Sequence, residues 1–147
     1  MYISLNKPFN PGKIFRGYFL PLIFLLNPVS AFLEGGGSCT VSFEGIYTAP
    51  IDEETDGHIR FYKDGVVLVS TSVKDIKDVK TWFHKENEDR VLRGKYKLRK
   101  CNIRFSVSGE TGEQIYSGQV SGDELILTIE NVKNKARTTR VYKLIPI

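Results

Sequence analysis

The stretch "GKYKLRKCNIRFSVS" (residues 94–108) alternates with a period of two and slips by one residue at its middle. Gly94, Tyr96 and Leu98 fall on one side, and Lys95, Lys97 and Arg99 on the other. Beyond Lys100 the alternation resumes, with Cys101, Ile103, Phe105 and Val107 against Asn102, Arg104, Ser106 and Ser108. Successive side chains of a strand point to opposite faces, so this is the pattern of two adjacent strands with one buried and one wet face. The wet face is basic, through Lys95, Lys97, Arg99 and Arg104.

The same reading extends in both directions. Residues 42–49, 58–63, 66–73, 113–120, 123–130 and 138–145 are further strand candidates. They are separated by turn-forming residues: Asp64-Gly65, Ser108-Gly109 with Gly112, Ser121-Gly122-Asp123, and Asn131 with Asn134. Asp-Gly in particular accepts the positive φ of a tight hairpin. Short strands at near-regular spacing predict an all-β fold, an antiparallel up-and-down barrel of about eight strands. One segment departs from the pattern. Ile76, Val79 and Phe83 recur at helical spacing with Trp82 beside them, which predicts a short amphipathic helix from about Lys74 to Lys85, between strands three and four. It is expected to cap a barrel end or lie on a flank, with Trp82 or Phe83 as a plug or lid.

The period-two register assigns an inward set: Tyr47, Ile59, Phe61, Tyr96, Leu98, Cys101, Ile103, Phe105, Tyr116, Val120, Leu125, Leu127, Ile129, Tyr142 and Leu144. A barrel of eight strands is just wide enough to be filled by side chains or to hold one small ligand. This set is large and aromatic, so a mostly filled interior is expected. Any small apolar ligand inside would meet Tyr47, Phe61, Tyr96, Phe105, Tyr116 and Tyr142.

Charge is distributed unevenly. Three of the 21 basic residues (Lys7, Lys13 and Arg16) precede residue 34, leaving 18 against 17 acids. A near-neutral globule has no overall pull on phosphate backbones, which argues against nucleic acid as a partner. Residues 34–89 hold 12 acids and 6 bases, whereas residues 90–147 hold 5 acids and 12 bases. The basic strand faces are either solvated or form a patch for anionic lipid or polysaccharide.

Residues 1–33 read as a signal peptide or membrane anchor. The uncharged run "GYFLPLIFLLNPVSAFL" (17–33) follows the three basic residues and leads into a Gly-rich linker, residues 34–41. Basic region, apolar region and small-residue exit are the order of an export signal, with Val29-Ser30-Ala31 as the cleavage site. The uncleaved alternative is shorter than the ~20 apolar residues of a normal span. Either way the domain from 42 to 147 is expected outside the cytoplasm, secreted or periplasmic, with membrane association through the leader. Gly36-Gly37-Ser38-Cys39 also offers a lipid-attachment cysteine. The only cysteines, Cys39 and Cys101, are disulfide candidates; alternatively, Cys101 is a small buried hydrophobe in its strand.

Two sets of residues carry a family resemblance. Gly45-Ile46-Tyr47 resembles the Gly-x-Trp that opens lipocalins, with Tyr in place of Trp. The ordered set Ile59-Arg60-Phe61-Tyr62-Lys63-Asp64-Gly65, a helix, Gly94-Lys95-Tyr96-Lys97-Leu98, Ile103-Arg104-Phe105, and Tyr116-Ser117-Gly118 leading to Gly122-Asp123-Glu124-Leu125 is similar to the lipocalin-like barrel at the C-terminus of a group of F-box adaptor proteins. The resemblance spans residues 43–146, lacks the F-box, and implies a calycin-type barrel with a ligand-binding interior.

Chemistry-bearing motifs are sparse. No phosphate loop, serine elbow or zinc-binding helix motif is present, so no enzymatic activity, metal or cofactor is expected. His58 falls on the outward series with Arg60 and Tyr62 and is expected in solvent. His84 is expected at the helix end. Asp52, Glu53, Glu54 and Asp56 form an acidic loop whose spacing matches no calcium site. Two classes remain: a binding module for a small apolar molecule, and an extracytoplasmic interaction domain using the basic strand face.

Overall fold

The computed structural model describes residues 39–147, and the leader expected over 1–33 lies outside the described residues, with most of the linker. Eight strands follow in chain order: β1 (Gly45–Pro50), β2 (Thr55–Phe61), β3 (Val66–Val73), β4 (Leu92–Arg99), β5 (Asn102–Gly109), β6 (Gly112–Ser121), β7 (Glu124–Asn131) and β8 (Arg137–Pro146). Each pairs antiparallel with the next, and β8 returns to β1, so the sheet is a closed up-and-down barrel. A single helix, α1 (Ile76–Trp82), interrupts the meander between β3 and β4.

The hairpins explain the closure. Gly65 adopts φ +88° in the β2–β3 turn. Lys100 takes φ +54° in the turn after Arg99, and this two-residue turn accounts for the slip in the sequence. Cys101 thus belongs to the turn and not to an inward strand position. Gly118 is required for a different reason. A Cβ there would stand 1.9 Å from the Ile126 carbonyl oxygen, so β6 bends against β7 more closely than any side chain permits.

The interior is a single apolar cluster. Tyr96, Phe105, Tyr116 and Ile129 form one row across four strands. Phe61 meets the rings of Tyr47, Tyr96 and Phe105 edge-on at 5.7, 5.0 and 5.8 Å, and Phe105 stacks on Tyr116 at 4.7 Å. Edge-to-face and offset contacts at these separations are favourable beyond the area they bury. Val67, Ile103, Leu125, Leu127 and Tyr142 complete the packing.

One barrel end is closed by the chain before β1. Val41, expected in the linker, is buried in the interior cluster, and Phe43 packs against it. The Ser42 backbone N–H donates to the Tyr47 hydroxyl at 2.8 Å. Cys39 then forms a disulfide with Cys101 in the β4–β5 turn, Cα to Cα 4.7 Å. Since β5 lies half a barrel away from β1, residues 39–44 cross the opening as a strap tied at both ends. The plug expected from Trp82 or Phe83 is supplied instead by Val41 and Phe43, because the helix does not enter the barrel.

Helix α1 lies on the outside. Its Asp75 N-cap accepts from the Lys77 N–H at 3.0 Å. Val79 and Phe83 are fully buried against Ile46, Val66 and Leu68, outward residues of β1 and β3. The guanidinium of Arg60 on β2 donates to the Phe83 carbonyl at 2.8 Å, and Lys85 pairs with Asp64 in the β2–β3 turn. A second, smaller core therefore lies between the sheet and the segment from 74 to 91.

The cross-link closes 62 residues of sequence, a separation for which loop-closure entropy predicts about 4 kcal/mol of stabilisation. Denaturant unfolding with and without reductant is expected to differ by about that amount. The Cys39→Ser/Cys101→Ser variant is expected to match the reduced protein. Equal midpoints in oxidant and reductant would show that the strap is held by packing alone.

Candidate functional site: a basic outer face

Interior tyrosines have little freedom to take part in chemistry. Burial raises the hydroxyl pKa of Tyr47, Tyr116 and Tyr142 above the ordinary tyrosine range. Tyr96 donates to the Tyr62 carbonyl at 2.9 Å and Tyr116 to the Gln114 amide oxygen at 3.2 Å. Of the interior residues named from the sequence, Tyr47, Phe61, Phe105, Tyr116 and Tyr142 are buried, and Tyr96 is half-buried. They are brought together, but as a packed core.

The basic residues are also brought together, on the outside. Lys95, Lys97, Arg99 and Arg104 are all exposed. The register places Lys97 directly opposite Arg104, and the same row continues through Ser117, Thr128 and Thr139. The neighbouring row runs Arg99, Asn102, Gln119, Ile126 and Val141. Neither row contains an acid. Among the described residues, none of these four cations has a carboxylate within 4.0 Å. Counter-charge appears one row further on either side, where Glu130 pairs with Arg137 at 2.7 Å and where Glu124 stands between Ser121 and Lys143, and at Glu113.

This face is hollowed. A concavity of about 460 Å³ is lined by Lys97, Arg99, Asn102, Arg104, Ser117 and Gln119. A second, of about 260 Å³, is lined by Lys95, Ser106, Glu113 and Ile115 and shares Lys97 and Arg104 with the first. The two share Lys97 and Arg104 as lining residues and follow one another along β4 to β6 as a shallow trough. A third hollow, of about 650 Å³, lies between β3 and α1, where Ser70, Ser72, Asp75, Asp78, Trp82 and Arg90 converge. It arises because β3 pairs with β4 only over Val66–Val69.

His58 differs from its expected place. It does face outward, but it is 1% exposed, because the outer surface of β2 is roofed by the segment carrying Phe83. Its ring is held between the Thr48 hydroxyl at 3.0 Å and the Ser72 hydroxyl at 2.7 Å. The sequence signal for this roof was available, since Ile46, Val66 and Leu68 are apolar on the outward series. His84 lies beyond the helix end, beside Glu86 at 2.9 Å. The Asp52 carboxylate accepts from the Glu54 and Thr55 N–H groups, which holds its pKa down and ties the acidic loop to itself. Among the described residues no group of acids, histidines or cysteines is placed to hold a metal ion, and no helix is long and apolar enough to cross a membrane.

Burial lowers the His58 pKa below its ordinary value. The unfolded chain then binds the proton more readily, so stability is complete above about pH 6.5 and is lost as pH falls below it. Unfolding measured between pH 5 and 7 is expected to show that decline, at up to about 1.4 kcal/mol per pH unit. His58→Gln is expected to flatten it. An unchanged slope in that variant would place the titration elsewhere.

Compared with known family models, with curated proteins and with solved structures, the chain matches none of them.

Proposed function

We propose that this chain is an exported or membrane-tethered, non-enzymatic interaction domain on a lipocalin-like barrel, and that it engages an anionic partner through the outer face of β4 to β6. One observation carries the reading: Lys97 stands opposite Arg104 with no acid in its row. Like charges directly opposite on neighbouring strands destabilise a sheet. Sequences that break such a local rule do so where a function compensates. The lipocalin resemblance and the leader favour a binding module outside the cytoplasm. The Cys39–Cys101 disulfide supports the same placement, since such bonds persist in oxidising compartments. A small apolar ligand in the interior has less to support it, because the rings of Phe61, Phe105 and Tyr116 already occupy the space such a ligand would need.

Lys97→Glu places an acid opposite Arg104 and is expected to raise the melting temperature by about 2 °C. The triple change Lys95→Glu/Lys97→Glu/Arg99→Glu is expected to weaken association with polyglutamate at low ionic strength by at least tenfold. Association that survives the triple change undiminished would exclude this face.

A further inference from the structure

We infer that the trough on β4 to β6 is a site for a linear, carboxylate-bearing polysaccharide lying parallel to the strands. The inference rests on the reading of the outer face given above and names its ligand. Along the strand direction the chemistry repeats. Lys95, Lys97 and Arg99 succeed one another on one face of β4, and two residues of strand advance about 6.7 Å, so the three cations extend over about 13 Å. A chain with acidic groups at intervals fits that line.

Across the strands the chemistry changes. From Lys97 and Arg104 the row passes to the Ser117 hydroxyl, and from Arg99 it passes to the amides of Asn102 and Gln119. A ligand in the trough therefore meets a mostly apolar floor over Lys97 to Gln119, flanked by cations along one edge and neutral hydrogen-bonding groups along the other. A uronic-acid chain has that asymmetry, with carboxylates and hydroxyls on every ring. Its apolar ring faces would lie on the aliphatic stems of Lys97 and Arg104, which cross the trough with their charged heads in water.

The shape separates this ligand from the other polyanions. The trough consists of two open hollows between side chains around the central cation pair, so a planar array of lipid headgroups meets the side-chain tips and not the floor between them. Single-stranded nucleic acid is held by aromatic platforms as well as by cations. The outward residues of β4 to β6 include no aromatic side chain, and the ring of Phe105 is buried inside the barrel. Glu113 sits at the upper end of the trough and repels an acidic chain there, which confines the site to the stretch between Lys95 and Arg99.

The test compares two soluble polyanions of matched charge density, polygalacturonate and polyglutamate, on the purified full chain at fixed ionic strength. Polygalacturonate is expected to bind at least tenfold more tightly. The Asn102→Ala/Gln119→Ala variant is expected to lose that preference while keeping its polyglutamate affinity. Lys97→Glu/Arg104→Glu is expected to lose both. Equal affinity for the two polymers, or a preference that survives the amide changes, overturns the polysaccharide assignment and leaves the basic face standing. Polyglutamate binding that is indifferent to Lys97→Glu/Arg104→Glu overturns the face itself. Retention on phosphatidylcholine vesicles containing phosphatidylglycerol separates the remaining source. If that retention falls with Lys97→Glu/Arg104→Glu while polygalacturonate shows no preference, the ligand is a lipid headgroup and the polysaccharide is excluded.

Discussion

The constraint on which the structure depends is the width of an eight-stranded barrel. Closing the sheet sends every second side chain into a space only about as wide as those side chains need. In this chain the inward positions at the centre are aromatic, and Phe61 alone touches three other rings. Interiors are packed to crystal-like density, so a centre filled this way is a rigid core. Chemistry is left with the two ends and the outer surface. The strap from Cys39 to Glu44 closes one end, anchored by the disulfide and by Val41.

The outer surface is divided by what covers it. Over β1 to β3 the outward residues Ile46, Val66 and Leu68 are apolar, and they bury Val79 and Phe83 of the covering segment. Burial of that kind is worth roughly 25 cal/mol per Å², which exceeds the cost of ordering a short segment only if the sheet beneath it is also apolar. Over β4 to β6 the outward residues are Lys, Arg, Ser, Asn and Gln, with Ile115 and a single acid, Glu113, towards one end of β6, and no other element of the described chain covers them. One sheet thus has a roofed half and an open half, decided residue by residue in the outward register.

The strands were legible because the period-two pattern is strong wherever one face is wet. The stretch around Tyr96 and Phe105 gave strand, register and the basic face at once. Legibility failed where both faces are buried. "VVLV" (66–69) is apolar at consecutive positions, the signature of a strand covered on both sides. Taken with Ile46, it indicates a roof over β1 to β3, and hence that His58 is enclosed. The strap was missed for another reason: Val41 and Phe43 are two apolar residues in a short segment, and only the position of Cys101 in a turn shows that the segment crosses the barrel end. Gly118 carried no legible signal, since the close approach of Ile126 depends on strand coiling and not on sequence pattern.

The distribution of acids sharpens the reading of the open half. The chain has carboxylates enough to neutralise its basic face, and it uses them elsewhere. Glu130 holds Arg137 one row away, Asp64 in the exposed β2–β3 turn holds Lys85, and Asp52 caps its own loop. Ion pairs on a surface are worth little, so this arrangement gains little stability by placing acids there. It also forgoes the gain from a carboxylate at Ser117, one strand from Arg104, where an acid would face the cation directly. A hydroxyl at that position leaves the trough cationic on one side and hydrogen-bonding on the other. That combination has no role in holding the barrel together, and its chemistry is complementary to an acidic, hydroxylated chain.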